Sequence, residues 1–306
     1  MVDTSLILPP LLSGIILGSL YALMAMGLTL IYSTIRVLNF AHGAFFMAGA
    51  YIVWWLNTPA SALYGTSLPT SGLSLPLAAA IVPAVLIIFG LGAGTQRAMI
   101  RPLLKRPNPL ITTLVATLAL ATILESIATL IFGGGRLQFA NEIASGTNRF
   151  GGLILTNAEL VQLVVAVVVL VGLQVFLKRS RYGIGMRAVA QDLDAANLSG
   201  INTETVYMIA FGVGALLAAL AGFLLTNIVF LSPSVGWTPL TIAFIVVVFG
   251  GIGSVQGTIF ASYIIAITQQ YVTLFLDTSW GLSFAFLLMI LVLILRPRGL
   301  FGFKEA

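Results

Sequence analysis

Two polar interruptions in apolar segments hold the side chains best suited to contact a polar solute within a membrane. One is the stretch 39–43, Asn-Phe-Ala-His-Gly, and the other is the glycine-rich stretch 250–257. Polar and helix-breaking residues at membrane depth are costly unless they line a cavity or a pathway. The two stretches therefore predict a solute path. Its expected contacts are Asn39, His42, Gly43, Ser254 and Gln256.

His42 is the only histidine of the chain, and its ring has two alternative roles. It could hydrogen-bond to the backbone at a helix end, or it could contact the solute directly. A metal site needs several ligands, and no carboxylate or thiol lies at ligand spacing, so we expect neither a metal nor a cofactor. A protease pair of His42 with Ser254 is disfavoured, because a Gly-Ser dipeptide is too common to indicate a nucleophile.

Glu125 lies near the middle of an apolar segment, where an unpaired charge costs several kcal/mol. Three interpretations of its carboxyl group are open. It could line the solute path, it could be a neutral acid bonded to a neighbouring helix, or it could lie in an interface. Proton coupling has little support, because no second acid within the membrane is available as a relay partner.

A charged segment follows the fifth apolar stretch and presents a surface to the aqueous phase. Only 8% of the chain is charged, yet six charged residues lie within 178–194. Residues 187–201 combine apolar residues at helical spacing with Gly200 as a stop signal. This pattern predicts one short amphipathic helix that docks into a groove of another protein. A helix that is solvated, or that lies on the membrane surface, is the alternative.

The segments around these residues make the chain a membrane protein. Of its 306 residues 59% are hydrophobic, and the mean hydropathy is +1.09. A spanning helix needs about 20 apolar residues, and about nine stretches approach that length. They lie at 9–32, 40–56, 76–96, 109–132, 159–177, 206–230, 240–255, 257–275 and 281–295. The expected fold is an all-α polytopic membrane protein of about nine fully or partly spanning helices.

Other fold and processing classes are excluded by the same composition. The apolar stretches lack the in–out alternation of barrel strands, and they leave no room for a second aqueous domain, so we expect one domain over 1–306. The first stretch is expected to be retained, because no basic region precedes it and no small-residue cleavage site follows. The chain has no cysteine, which excludes disulfides and thiol chemistry.

Lysine and arginine mark the loops of a membrane protein that stay in the cytoplasm. They occur at Arg36, in 97–106, in 178–187 and after the last stretch, whereas the loops 57–75 and 231–239 carry no charge. An outer N-terminus and a cytoplasmic C-terminus satisfy this pattern. The net charge of +5 comes from these loops and does not indicate nucleic acid binding. The tryptophans are expected in a belt at the outer interface: Trp54, Trp55, Trp237 and Trp280.

Two further patterns concern helix packing and symmetry. Small residues recur every four positions at Gly14/Gly18, at Gly90/Gly94 and within 210–222. They favour close packing of helices within the chain, with a face for a second membrane subunit as the alternative. His42-Gly43 can also be overlaid on Gln256-Gly257, which predicts an internal two-fold repeat.

Several motifs resemble those of known transporters. Asp194-Ala195-Ala196-x-x-x-Gly200 is similar to the EAA-x-x-x-G pattern of ABC importer permeases, with Asp in place of Glu. Three longer stretches resemble, in the same order, signatures of the high-affinity branched-chain amino acid permeases of the LivH type: 17–51, 185–202 and 249–264. The stretch 296–302, Arg-Pro-Arg-Gly-Leu-Phe-Gly, resembles the tail of that family. The resemblance covers essentially the whole chain.

The resemblance implies an inner-membrane permease subunit with several partners. They are two cytoplasmic ATP-binding subunits, a second permease of the LivM kind or a second copy of this chain, a periplasmic substrate-binding protein and the lipid bilayer. The chain would not be an enzyme, because it has no G-x-x-x-x-G-K-[ST] phosphate loop and its partners would hydrolyse ATP. The residues implied in coupling to the ATPase are Arg187, Asp192, Asp194, Ala195, Ala196 and Gly200.

Branched-chain amino acids are the solutes that the resemblance implies, with urea, short amides or another small polar solute as the alternative. Ala44 stands where some members have an acid, and 236–241 lacks a lysine that some leucine-type members have. A stand-alone ion-coupled transporter is the rival interpretation, with Glu125 as its best support. A membrane enzyme would need a cluster of catalytic groups, which the sequence does not offer.

Overall fold

The computed structural model describes residues 4–58, 75–138, 146–150, 153–226 and 228–302. Within these ranges the chain forms eleven helices and one small hairpin. In order they are α1 (Thr4–Ile35), α2 (His42–Asn57), α3 (Leu77–Thr95), α4 (Pro109–Phe132), β1 (Thr147–Phe150), β2 (Leu153–Thr156), α5 (Asn157–Arg179), α6 (Arg181–Gln191), α7 (Leu193–Leu198), α8 (Thr203–Thr226), α9 (Trp237–Gly250), α10 (Val255–Phe275) and α11 (Trp280–Leu295). Helix α3 continues through a π-helical turn, Gln96–Ile100, into Arg101–Leu103.

Each of the nine predicted apolar stretches coincides with one helix, so the all-α polytopic membrane fold is confirmed. Six helices are long and apolar enough to cross a membrane: α1, α3, α4, α5, α8 and α10. Helices α9 and α11 are shorter and apolar, and α2 has only 16 residues. The predicted loop 57–75 lies almost entirely outside the described residues.

Helix α1 lies at the centre of the bundle, where it packs mainly against α8 and α10. The small residues explain the close packing. A Cβ added at Gly14 would lie 2.7 Å from the Ile267 backbone of α10, and one added at Gly214 would lie 2.6 Å from Ile31 of α1. The small-residue stripe 210–222 thus packs within the chain, as the first of the two interpretations predicted. Gly90 is different, because no atom lies within 4 Å of an added Cβ there.

Most basic side chains lie at one end of the bundle, which we call the basic end. There Ile35 and Val37 cluster with Ile100 and Phe211, so the ends of α1 and α3 meet the start of α8. Across the same junction Arg101 forms an ion pair with Glu204, with 2.5 Å between nitrogen and oxygen. The charged segment with α6 and α7 also lies here, since it directly precedes α8.

Helix α2 begins inside the membrane rather than at its surface. After α1 the chain turns at Arg36 and runs back along the bundle, until the His42 ring lies 2.9 Å from the Met24 carbonyl oxygen. Met24 precedes the end of α1 at Ile35 by about 16 Å of helix. The first predicted interruption is therefore a real break, which places the start of α2 deep within the apolar layer.

Helix α9 begins next to the start of α2. After α8 ends at Thr226, Leu231 forms a single antiparallel β-bridge with Leu137 in the segment after α4. Further along, the backbone of Gly236 contacts the backbone of Gly43. The rings of Phe40 and Phe244 lie 5.0 Å apart between centroids, which joins the same two regions. The second break, between α9 and α10, lies at the basic end, where Leu300 and Phe301 donate backbone hydrogen bonds to the last carbonyls of α9.

The hairpin β1–β2 is an element that the sequence interpretation did not include. Thr147 pairs with Thr156 in an antiparallel register, and the hairpin leads directly into α5. A capping box starts that helix, because Thr156 and Glu159 satisfy each other's backbone N–H groups. The Thr-x-x-Glu spacing is a recognisable start signal, whereas strands of four residues carry too few positions to show alternation.

Candidate functional site

A cavity lies where the starts of α2 and α9 meet the middle of α4. The free space between its lining residues is about 240 Å³, part of it open solvent, and apolar side chains form most of its wall. Its lining residues are Phe40, Gly43, Ala44, Met47, Ala121, Glu125, Pro233, Gly236, Trp237 and Leu240. Two of the predicted path residues, Gly43 and Glu125, thus lie on one cavity wall at membrane depth.

The Glu125 carboxyl group is hydrogen-bonded to a neighbouring helix and also lines the cavity. The indole N–H of Trp237 donates to Oε2 across 2.9 Å. Trp237 is the first residue of α9, and its position differs from the expected interfacial belt. Trp54 lies near the end of α2 and is only 3% exposed, and its place in the belt stays a prediction. The sequence gives no signal for the Glu125–Trp237 pair, because the two residues lie 112 positions apart.

Asn39 and His42 lie behind the cavity wall and are completely buried. The Asn39 Oδ1 accepts the backbone N–H of Ala41 at 3.1 Å, a turn that directs the chain into α2. The Met24 carbonyl can only accept, so the Nε2 of His42 carries the proton of that bond. His42 is thus bonded to backbone at a helix end, as the first of its two alternatives stated. Asn39 Nδ2 and His42 Nδ1 have no hydrogen-bond partner among the described residues.

Ser254 and Gln256 lie at the basic end, apart from the cavity residues. The Ser254 hydroxyl accepts the Gly257 N–H at 3.1 Å and caps α10, while the side chain of Gln256 is exposed. Gly253 lies next to Ser33, near the end of α1. The overlay of His42-Gly43 on Gln256-Gly257 therefore joins positions at different depths, and the internal repeat stays a prediction.

The segment expected to be one helix over 187–201 is two helices, and this expectation was wrong. The break is at Asp192, whose extended backbone ends α6 and whose side chain starts α7. Its Oδ1 accepts the N–H groups of Asp194 and Ala195 at 2.9 and 3.0 Å. An aspartate is a strong N-cap, so it competes with helix continuation at this position.

Gly200 ends α7 as predicted. Its φ of +78° is left-handed, and the Ile201 N–H returns to the Ala196 carbonyl at 3.1 Å. This is the Schellman arrangement, in which glycine is favoured because a Cβ is strained at positive φ. Of the six residues implied in coupling, Ala196 is buried; the exposed ones are Arg187, Asp192, Asp194, Ala195 and Gly200.

Helices α6 and α7 differ in their attachment to the bundle. Met186 and Val189 of α6 are buried, and Gly183 packs directly on the backbone of α5. By contrast, α7 presents Leu198 at 90% exposure, together with the half-exposed Leu193. The sequence interpretation assigned these leucines to one helical face. Their isolation in an otherwise polar segment is the signal that could have identified them as a contact surface.

The sequence family described as the branched-chain amino acid transport system permease component matches residues 11–293. The high-affinity branched-chain amino acid transport system permease protein LivH of Salmonella typhimurium is 31% identical over 303 residues, 97% of this chain and 96% of that protein. The corresponding permease protein BraD of Pseudomonas aeruginosa is 31% identical over 304 residues, with the same two shares. A probable LivH of Methanocaldococcus jannaschii is 29% identical over 307 residues, 94% and 90% of the two chains. No solved structure matches this chain at a significant level.

Proposed function

This chain belongs to the permease-component family of branched-chain amino acid transport systems, and we propose that it is the membrane-spanning subunit of an ATP-driven ABC importer of branched-chain amino acids. The observation that carries the proposal is the full-length similarity to permeases named for that solute class, at 31% identity over 97% of the chain. Residues 1–306 act as one permease domain, and ATP is hydrolysed by the partners.

Helices α6 and α7 form the contact with the ATP-binding subunits. The exposed α7, with Leu198 and the Asp192 cap, is the part that enters the cleft of the ATPase. Helix α6 transmits the movement, because Gly183 contacts α5 and Gly185 packs closely on α8. A Cβ added at Gly185 would lie 3.1 Å from the Val206 side chain of α8. Helix α8 in turn packs against α1 and α2, so closure of the ATPases reaches the centre of the bundle.

The solute path passes the cavity at the starts of α2 and α9. Glu125 and Gly43 lie on its wall, and Asn39 and His42 support that wall from behind. Ser254 and Gln256 mark the exit at the basic end. Breaks between helices at membrane depth are typical of transporter pathways, because ends of half-helices expose backbone groups to a polar solute.

The partners follow from the family. They are two cytoplasmic ATP-binding subunits, a periplasmic binding protein that delivers the solute, and a second permease or a second copy of this chain, all within or at an inner membrane. The basic end faces the cytoplasm, which places the N-terminus outside and the C-terminus inside. Urea, short amides or another small polar solute remain the alternative cargo for the same importer.

The proposal is tested on the complex isolated from its native membranes in mild detergent. We expect an ATP-binding protein to co-purify, and the reconstituted complex to accumulate labelled L-leucine only with ATP and loaded binding protein. A chain that is recovered alone, folded, and that takes up leucine along an ion gradient would refute the importer. In that case Glu125 would be the first residue to examine.

The orientation is tested separately by cysteine labelling. The chain has no cysteine, so single substitutions give a clean signal. Asn197→Cys on α7 and Thr278→Cys after α10 are both exposed in the native chain. We expect a membrane-impermeant maleimide to label Thr278→Cys in intact spheroplasts, and Asn197→Cys only after the membrane is opened. The reverse pattern would invert the proposed topology.

A further inference from the structure

The cavity combines an apolar wall with one carboxylate that has no cationic partner. Phe40, Met47 and Leu240 supply apolar surface, and Glu125 supplies the charge-bearing group. No lysine or arginine lines the cavity, and the ion pair recorded among the described residues joins Arg101 to Glu204 at the basic end. A carboxylate within a membrane protein normally pairs with a cation or faces a wet cavity.

The position of Trp237 leaves part of this carboxylate available. Its indole N–H can only donate, and it engages Oε2. The other oxygen, Oε1, has no hydrogen-bond partner among the described residues. Trp237 therefore fixes the orientation of the Glu125 side chain without neutralising it. An acceptor held in a defined position, with one oxygen free, suits a donor that arrives from the cavity.

The exposed surface of α4 near Glu125 carries hydroxyl groups among apolar side chains, since Ile123, Ile127 and Leu130 are exposed as well. Thr122 and Thr129 are exposed and lie on the same helical face as Glu125, at spacings of three and four residues, and the exposed Ser126 is the next residue along the helix. Each hydroxyl donates to the carbonyl four residues earlier, so the helix stays regular while it carries polar groups.

We infer that Glu125 binds the ammonium group of the transported amino acid, with Trp237 as the residue that positions the carboxylate. The aliphatic side chain of the solute then lies against the apolar wall. A charge-assisted N–H···O bond is about twice as strong as a neutral one, and it distinguishes an α-amino acid from uncharged urea or an amide. This inference rests on the proposed function and adds the chemical group that the permease itself recognises.

The lining residues set the orientation of the bound solute. Its ammonium group lies at Glu125, and its alkyl group lies towards Met47 on the apolar wall. The permease would thereby add a selection step after the binding protein has released its solute.

The test compares L-leucine transported per ATP hydrolysed in proteoliposomes that contain the whole complex and loaded binding protein. For Glu125→Gln, which keeps the shape and the Trp237 contact, we expect leucine per ATP to fall about tenfold or more while ATP hydrolysis continues. Glu125→Asp should restore part of the loss, because it keeps a carboxylate. Ser126→Ala, at the next position of the same helix, is the matched control and should match the wild type.

Two results would overturn the inference. One is a Glu125→Gln complex with wild-type leucine per ATP, and the other is a variant that loses ATP hydrolysis and transport together, since that indicates assembly rather than solute recognition. Trp237→Phe is the second variant: it keeps Glu125 but removes the donor, and unchanged leucine per ATP would refute the positioning role. Failure of the wild-type complex to transport leucine would refute the proposed solute instead, so the two failures are distinguishable.

Discussion

Leu198 gives the sharpest test of the proposed contact with the ATPase. It is 90% exposed at the end of α7, while its neighbour Ala196 is buried against the bundle. Substitution by alanine therefore removes little from the permease itself. It removes three carbon atoms from the surface that we expect the partner to bury.

The size of the effect follows from that exposure. Burial of one methylene group contributes about 0.8 kcal/mol, so the loss of most of the Leu198 side chain from an interface costs about 2 kcal/mol. This corresponds to roughly a 30-fold weaker affinity of the ATP-binding subunit, since about 1.4 kcal/mol is tenfold. The unfolding temperature of the isolated permease should stay the same, because an exposed side chain contributes little to its core.

The assay is titration of purified ATP-binding subunit against immobilised permease in detergent. The matched control is Leu276→Ala, which changes an exposed leucine at the opposite end of the bundle, 58% exposed after α10. We expect weaker binding for Leu198→Ala and unchanged binding for Leu276→Ala. Equal affinities for the two variants would refute the docking role of α7, and a lowered unfolding temperature would show that Leu198 is a core residue.

Three further predictions test local structure. Asp192→Ala removes the cap of α7 at a cost of about 1 kcal/mol and should speed amide exchange across α7, whereas Asp192→Asn keeps the cap and should not. Gly236→Ala should destabilise the detergent-solubilised chain by about 1–3 kcal/mol, because its Cβ would overlap the α2 backbone, while Gly90→Ala should be neutral or stabilising in the same thermal unfolding assay. A double-mutant cycle with valine at Thr29 and Thr258, whose buried hydroxyls lie 2.8 Å apart, should give a coupling of about 1 kcal/mol; additive effects would contradict that bond.

The sequence predicts the fold class and the helices well, because long apolar stretches have few alternatives in lipid. Residues 39–43 were identified as a break, since glycine and polar residues interrupt the apolar pattern there. Gly200 was identified as a helix end for a similarly local reason. Each of these signals needs only the residues of one short window, and local physics decides the outcome.

Other features depend on contacts between distant segments and could not be predicted. The bond from Trp237 to Glu125 joins α9 to α4, and no local pattern links them. The same holds for the depth at which α2 begins, which is set by the hydrogen bond from His42 of α2 to the Met24 carbonyl of α1. Asp192 is an exception: its capping preference is a local signal, but the flanking apolar residues at helical spacing favour one continuous helix.

The contact between Gly43 and Gly236 has a mechanical consequence for the cavity. The two helix starts meet through bare backbone, and beside that contact Leu240 lies next to Gly43 and the Phe40 ring meets the Phe244 ring. Interlocked side chains resist translation, because a shift must lift each one out of its hole. The backbone contact of Gly43 with Gly236 adds no interlocked side chain, so Leu240 and the Phe40–Phe244 pair supply the resistance to a shift of α9 along α2. A change in the shape of the cavity wall by shear would have to break the contacts of these side chains.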